Sequence, residues 1–127
     1  MSYAVWFKAG CETHTIAPSG VRILSALERC AQVLQHDLVI TCGSDSHPPS
    51  DPHSKGQAFD VRSHDLTPDQ KDKLLSSMMQ ALSEGPQDVV TPKDGGFVTQ
   101  HFFGWLEHKG EPAEHFHWQQ RNGVPFP

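Results

Sequence analysis

The sequence predicts a small single domain of the α+β class, with a mostly antiparallel sheet and helices packed on one face. The chain has 127 residues, the usual size of one domain, so residues 1–127 are treated as one unit. Two stretches carry apolar residues at helical spacing, and several shorter runs are β-branched or alternate between apolar and polar side chains. The predicted order is strand, helix, strand, long loop, strand, helix, strand, strand. This order is typical of a sheet covered by helices on one side.

The first half of the chain is predicted to place one helix between two strands. Residues 1–18 are interpreted as a strand or extended arm. Residues 20–36 carry one apolar stripe at helical spacing, with Ser19 as the expected N-cap. The β-branched run 38–42 predicts a strand. Residues 43–56 are rich in Gly, Pro and Ser and predict a long loop, which in a small domain is often functional.

A second helix is predicted after a second central strand. Residues 57–62 alternate between apolar and polar side chains, as a strand does. Thr67 is the expected N-cap, with Pro68 at the first helical position and Gln70 completing a capping box. The helix is expected to stop at Gly85 and the proline that follows it.

The last third of the chain is predicted to form two strands. Residues 87–96 are interpreted as a loop whose segment 94–96 is a turn. Residues 97–107 are predicted as one strand, and 109–112 as a turn. Residues 114–120 alternate strictly, so that two histidines and a glutamine share one face and two aromatic residues share the other.

Composition narrows the class of function. Fifteen acidic against ten basic residues give a net charge of −5, which argues against electrostatic binding of nucleic acid. No apolar run approaches the roughly 20 residues of a membrane span, and three cysteines make a disulfide framework improbable. Nine histidines, the commonest metal-ligand side chain, point instead to a metal or an acid–base site.

Four residues form the candidate metal or acid–base site. His53 ends the long loop and Asp60 follows seven residues later on the strand, with Gly56 allowing a tight entry between them. His115 and His117 share one face of another predicted strand. Two imidazoles and a carboxylate are a normal catalytic zinc set, in which zinc lowers the pKa of a water molecule to about 7 and polarises a carbonyl. A nearby carboxylate would move the proton from the water to the leaving nitrogen.

These residues resemble a known superfamily. The pattern H-x-x-G-x-A-x-D in the segment ITCGSDSHPPSDPHSKGQAFDV, followed by E-H-x-H in PAEHFHWQ, is similar to the hedgehog and D-Ala-D-Ala peptidase superfamily. That group includes zinc D,D-carboxypeptidases, D,D-dipeptidases and phage L-alanyl-D-glutamate endopeptidases. The resemblance covers about residues 20–120 and implies a hedgehog/D,D-peptidase-like fold.

The resemblance also implies individual roles. The expected zinc ligands are His53, Asp60 and His117. Glu114 resembles the general base, and His115 resembles a second histidine that stabilises the oxyanion. Glu111 matches the position at which hedgehog-like members carry their acidic residue, which makes it the alternative base. Strict strand alternation would favour Glu111, whereas the motif match favours Glu114.

The sequence departs from the superfamily pattern in the loop. Many members carry an arginine shortly after the strand, where it binds the substrate carboxylate, but the run 42–45 contains none. Asp51 stands where many members have serine. An acidic residue and a histidine in this loop resemble the phage-type relatives, here Asp45 and His47. Arg62 or Arg121 is the candidate for the missing cation.

The resemblance therefore implies a Zn²⁺-dependent metallopeptidase that hydrolyses an amide bond in peptidoglycan stem peptides, of the D,D-carboxypeptidase or L-Ala-D-Glu endopeptidase type. We expect no nucleic-acid or membrane partner, and we expect a monomer. The alternative is a non-catalytic, zinc-stabilised binding module of the same fold, and a weaker alternative is a phosphodiesterase or nuclease. The N-terminus has no secretory pattern, so we expect synthesis in the cytoplasm and action on the cell wall after release or as part of a virion.

Overall fold

A computed structural model of the chain describes residues 2–11, 15–42, 51–53, 55–85, 87–124 and 126, with the backbone only for Cys42 and Lys93. Within these ranges it contains two helices and seven strands. In chain order they are β1 (Val5–Phe7), α1 (Pro18–Leu34), β2 (Leu38–Cys42), β3 (Ala58–Arg62), α2 (Pro68–Leu82), β4 (Thr91–Lys93), β5 (Gly96–Val98), β6 (Phe102–Glu107) and β7 (His115–Gln120).

The strands form one mixed sheet in the order β1-β2-β3-β7-β6-β5-β4. β1 runs parallel to β2, and the other neighbouring pairs of described strands are antiparallel. The two helices pack against each other and against the sheet. This arrangement confirms the predicted α+β class. Neither described helix has the length and apolar character needed to cross a membrane.

The hydrophobic core lies between the helices and one face of the sheet. Alternation along the two central strands directs Phe59 and Val61 of β3 and Phe116 and Trp118 of β7 into this core, where each is fully buried. The alternate residues of these strands, which are Asp60 of β3 and His115 and His117 of β7, therefore lie on the opposite face. The alternation predicted for 57–62 and 114–120 is confirmed.

The helix boundaries depend on capping. The predicted capping box of α2 is confirmed, because Thr67 accepts from the Gln70 N–H and the Gln70 side chain accepts from the Thr67 N–H. The prediction that Ser19 caps α1 is wrong. Proline favours the first helical turn, so α1 begins at Pro18, and Ser19 is buried inside the first turn, where its hydroxyl donates to Gln120 Oε1.

The predictions for 87–96 and 97–107 need correction. Part of the predicted loop is β4, which pairs with β5 around a two-residue Asp94–Gly95 turn with Gly95 at φ +72°. The predicted single strand is two strands, because the chain reverses after Thr99. The Thr99 side chain accepts from the Phe102 N–H, and Asp88 accepts from the Gln100 N–H, so side chains satisfy the backbone of the turn.

Candidate metal centre

The register of three strands brings the predicted ligands together on the face away from the helices. Asp60 of β3 pairs with His117 of β7, and His117 pairs in turn with Trp105 of β6. Directly opposite residues on neighbouring strands have close side chains. The ladder therefore places a carboxylate beside an imidazole at the centre of the sheet.

His53 reaches the same point from the turn that leads into β3. Hydrogen bonds from the Gly56 N–H to the His53 carbonyl (3.0 Å) and from the Gln57 N–H to the Pro52 carbonyl (2.9 Å) close this turn. Gly56 has φ +69°, and a Cβ there would lie 2.3 Å from the Thr15 carbonyl oxygen. Only glycine fits this position without strain, which explains the glycine of the motif.

The three side chains converge closely. Asp60 Oδ1 lies 3.0 Å from His53 Nε2 and 2.9 Å from His117 Nδ1, and one donor atom from each residue lies within 4.8 Å of the other two. Two ligands of a tetrahedral zinc ion, each at about 2.0–2.2 Å, are themselves roughly 3.3–3.6 Å apart. The observed spacings of 2.9 and 3.0 Å are hydrogen-bond distances, and small movements of the side chains would let this group of donors hold a metal ion.

Neighbouring groups orient both imidazoles for metal binding. His53 Nδ1 lies 2.9 Å from Asp51 Oδ1, which leaves Nε2 facing Asp60. His117 Nε2 lies 2.8 Å from Gln119 Oε1, which leaves Nδ1 facing Asp60. A ligating histidine almost always donates its other ring N–H to a carboxylate or carbonyl oxygen. Asp51, the departure from the family pattern, thus supplies such an acceptor.

Charge in the cluster is balanced locally. Burial raises the pKa of Asp60, but hydrogen bonds from the two imidazoles outweigh burial and hold that pKa well below its usual range. Burial lowers the pKa of His53 and of His117, and contact with Asp60 outweighs it and raises both pKa values. A metal ion would replace the protons that these groups share, so metal binding should release protons.

Glu107, which belongs to neither sequence motif, lies beside this cluster. Its Oε1 atom lies 3.4 Å from His117 Nδ1 and 3.5 Å from His115 Nε2. Glu107 ends β6 and pairs directly with His115 at the start of β7. The predicted turn at 109–112 between two predicted strands was a usable signal, because a hairpin there brings residue 107 next to the start of the following strand.

The structure does not bring Glu114, the expected general base, to the cluster. Its carboxylate accepts from Lys71 Nζ (2.6 Å), from Ser63 Oγ (2.7 Å) and from the Gly110 N–H (2.9 Å). These partners lie at α2, just after β3 and in the β6–β7 turn. The side chain is buried there and joins the hairpin to α2.

Glu111 and His115 have different surroundings. Glu111, the alternative base, is exposed in the β6–β7 turn and lies 3.3 Å from His108. His115 is close to the cluster, with Nε2 3.8 Å from Asp60 Oδ2. Among the described histidines, His36, His64, His101 and His108 do not belong to any group of potential metal ligands.

Aromatic side chains form a wall next to His117. The rings of Phe103 and Trp105 stack on each other and lie 5.9 and 6.0 Å from the His117 ring. Both line a recess of about 330 Å³ together with Arg121. Arg121 donates through Nη1 to two backbone carbonyl oxygens of the β5–β6 turn. Asp45 and His47, predicted to lie near the site, are outside the described residues.

Comparison of the chain with protein-family models, with curated proteins and with solved structures finds no match. The superfamily resemblance therefore stays a prediction, and it depends on the two motifs.

Proposed function

We propose that the chain is a zinc-dependent hydrolase that cleaves an amide bond in peptidoglycan stem peptides. The observation that carries this proposal is the convergence of His53, Asp60 and His117 on one point, with a carboxylate, Glu107, next to it. A hydrolytic zinc site needs three protein ligands, a remaining open position and a nearby base. In this proposal His53, Asp60 and His117 would be the three ligands, and Glu107 would be the base.

The three converging residues would hold the metal. Zinc supplies Lewis acidity there, which polarises the substrate carbonyl and makes water a better nucleophile at neutral pH. Asp51 and Gln119 keep the two imidazoles in the tautomers that present a lone pair to the centre. These two contacts would hold the donor nitrogens of both imidazoles in position without a metal ion.

Glu107 is the proton carrier in this proposal. Its side chain is one-quarter exposed, so water and substrate can reach it. Its carboxylate would accept a proton from the attacking water and deliver that proton to the leaving amide nitrogen, so that the C–N bond breaks with release of an amine. The resemblance gives His115, whose Nε2 lies 3.5 Å from Glu107 Oε1, the role of stabilising negative charge on the former carbonyl oxygen, which its ring can do when both nitrogens carry protons.

The substrate class rests on the resemblance of the two motifs to peptidases of cell-wall stem peptides. The recess beside His117 supports a peptide substrate, because it combines the aromatic wall of Phe103 and Trp105 with the cation of Arg121. Such a pocket matches a peptide that carries a carboxylate. Arg121 is thus one candidate for the cation missing from the loop, and the other, Arg62, lies opposite His115 on the neighbouring strand.

Zinc analysis and digestion of purified peptidoglycan test the proposal. We expect the wild type to bind zinc and to release new amine groups, with mass spectrometry of the products identifying the bond. Glu107→Gln should keep the zinc and lose about 10²–10⁴-fold in turnover, the usual contribution of a general base. Glu28→Gln, an exposed change on α1, serves as the control.

Each other outcome decides against part of the proposal. A protein that takes up no zinc contradicts the metal centre. Zinc binding and peptidoglycan binding without cleavage would support the binding-module alternative. Full turnover in Glu107→Gln would show that another group carries the proton.

A further inference from the structure

A second group of potential metal ligands lies beside the first on the same face. It consists of Asp60, Glu107 and His115, whose donor atoms lie within 4.8 Å of one another. His115 Nε2 lies 3.8 Å from Asp60 Oδ2 and 3.5 Å from Glu107 Oε1. Two carboxylates and an imidazole are a donor set that zinc accepts.

The ring of His115 is oriented as a metal ligand would be. Its Nδ1 atom lies 2.8 Å from the Ala113 carbonyl oxygen. A carbonyl oxygen only accepts, so the proton of the neutral ring lies on Nδ1 and the lone pair lies on Nε2. That lone pair is directed toward the two carboxylates. A backbone acceptor behind the ring is the usual arrangement for a ligating histidine.

Asp60 belongs to both groups and divides its oxygens between them. Oδ1 faces His53 and His117, whereas Oδ2 faces His115. Glu107 Oε1 also lies between the two groups, at 3.4 Å from His117 Nδ1 and 3.5 Å from His115 Nε2. Adjacent sites that share carboxylate ligands are the arrangement of two-metal hydrolases.

We propose that Asp60, Glu107 and His115 form a second, weaker zinc site, and that filling it inhibits hydrolysis. The inhibitory part rests on the proposed function, because a zinc ion on Glu107 would occupy the lone pair that accepts the proton. The second site is weaker because its ligands are more open to water. The side chains of Glu107 and His115 are both 26% exposed, against 9–10% for His53 and His117. A first ion nearby also repels a second.

Equilibrium dialysis against increasing free Zn²⁺, with metal counted by mass spectrometry, tests the site without any substrate. We expect the wild type to bind one ion at low free zinc and two at high free zinc. His115→Ala should keep the first ion and lose the second. The control, His108→Ala, removes an exposed histidine of the same hairpin and should keep both. Glu107→Gln, a milder change, should weaken the second step and leave the first in place.

The outcomes separate this inference from the proposed function. A wild type that saturates at one ion, or a His115→Ala variant that still binds two, overturns the second site. Two ions in a protein that cleaves no peptidoglycan would leave the second site standing while the proposed function fails. In an active protein, turnover should fall over the same range of free zinc in which the second ion binds. Turnover that stays constant through that range would refute inhibition.

Discussion

Glu114 joins the β6–β7 hairpin to α2, and Glu114→Gln is the sharpest test of that assignment. The carboxylate accepts hydrogen bonds from Lys71 and Ser63 at Oε1 and from Gly110 at Oε2. Glutamine keeps one acceptor oxygen but puts an NH₂ donor in place of the other. Either Lys71 or the Gly110 N–H then faces a donor, and the ion pair is lost.

The expected cost follows from these contacts. A hydrogen bond to a charged group contributes about 1.5–3 kcal/mol, and the Lys71 side chain, at 22% exposure, recovers part of this from water. We therefore expect a loss of about 2 kcal/mol in the free energy of unfolding. Unfolding entropy of about 2.1 cal/mol/K per residue converts this loss, for 127 residues, into a Tm lower by roughly 7 °C.

Acid should remove the difference in unfolding free energy between the wild type and Glu114→Gln. Burial raises the pKa of Glu114, but its three hydrogen bonds outweigh burial and lower that pKa to about 2. A lowered pKa stabilises the folded protein above the unfolded value of 4.5, and the stabilisation is lost as pH falls from 4.5 toward 2. Urea denaturation of both proteins between pH 7 and pH 3 measures this convergence.

The control and the refuting results are specific. Glu111→Gln changes an exposed glutamate of the same hairpin, 64% exposed, and should shift stability by less than about 0.5 kcal/mol. If Glu114→Gln unfolds like the wild type at pH 7 but loses turnover, Glu114 acts in the chemistry and the structural assignment is refuted. If Glu114→Gln lowers the free energy of unfolding by the same amount at pH 3 and at pH 7, the charge of Glu114 does not stabilise the fold.

Two further predictions concern the support of the site and the packing behind it. Asp51→Ala removes the acceptor for His53 Nδ1 and should weaken zinc binding about 10–100-fold without changing the stoichiometry, as measured in competition with a chelator. Gly104→Ala would place a Cβ 2.3 Å from the Trp118 ring and should lower the unfolding free energy by about 1–3 kcal/mol, whereas normal stability would show that the ring can move aside.

Local signals in the sequence predicted the elements whose stability is local. The capping box at Thr67 and Gln70 fixed the start of α2, and strict alternation fixed which side chains of β7 enter the core. The reversal after Thr99 was missed because part of its determinant is not local. Asp88 lies twelve residues before Gln100, and its hydrogen bond to that backbone has no counterpart in the pattern of 97–107.

The candidate site shows the same difference between local features, which the sequence predicted, and long-range features, which it did not. The spacing of His53 and Asp60 is local to one turn and one strand, and the structure brings both together with His117 as predicted. Glu107 depends on pairing across a hairpin, which a linear motif does not contain. Glu114, the motif's choice for the base, comes just before β7, and its side chain lies against α2, on the face opposite His117, as strict alternation predicted.

In the proposed reaction, the surroundings of the two glutamates favour Glu107 over Glu114 as the base. A general base works best when its pKa lies near the working pH. Glu114 has three hydrogen-bond donors on its two oxygens and a pKa of about 2, so at neutral pH it has little tendency to take a proton. Glu107 has ion-pair contacts with His115 and His117, and its side chain is open to water. Two carboxylates whose environments differ in this way take different roles, and here the buried one stabilises the hairpin while the open one remains available for proton transfer.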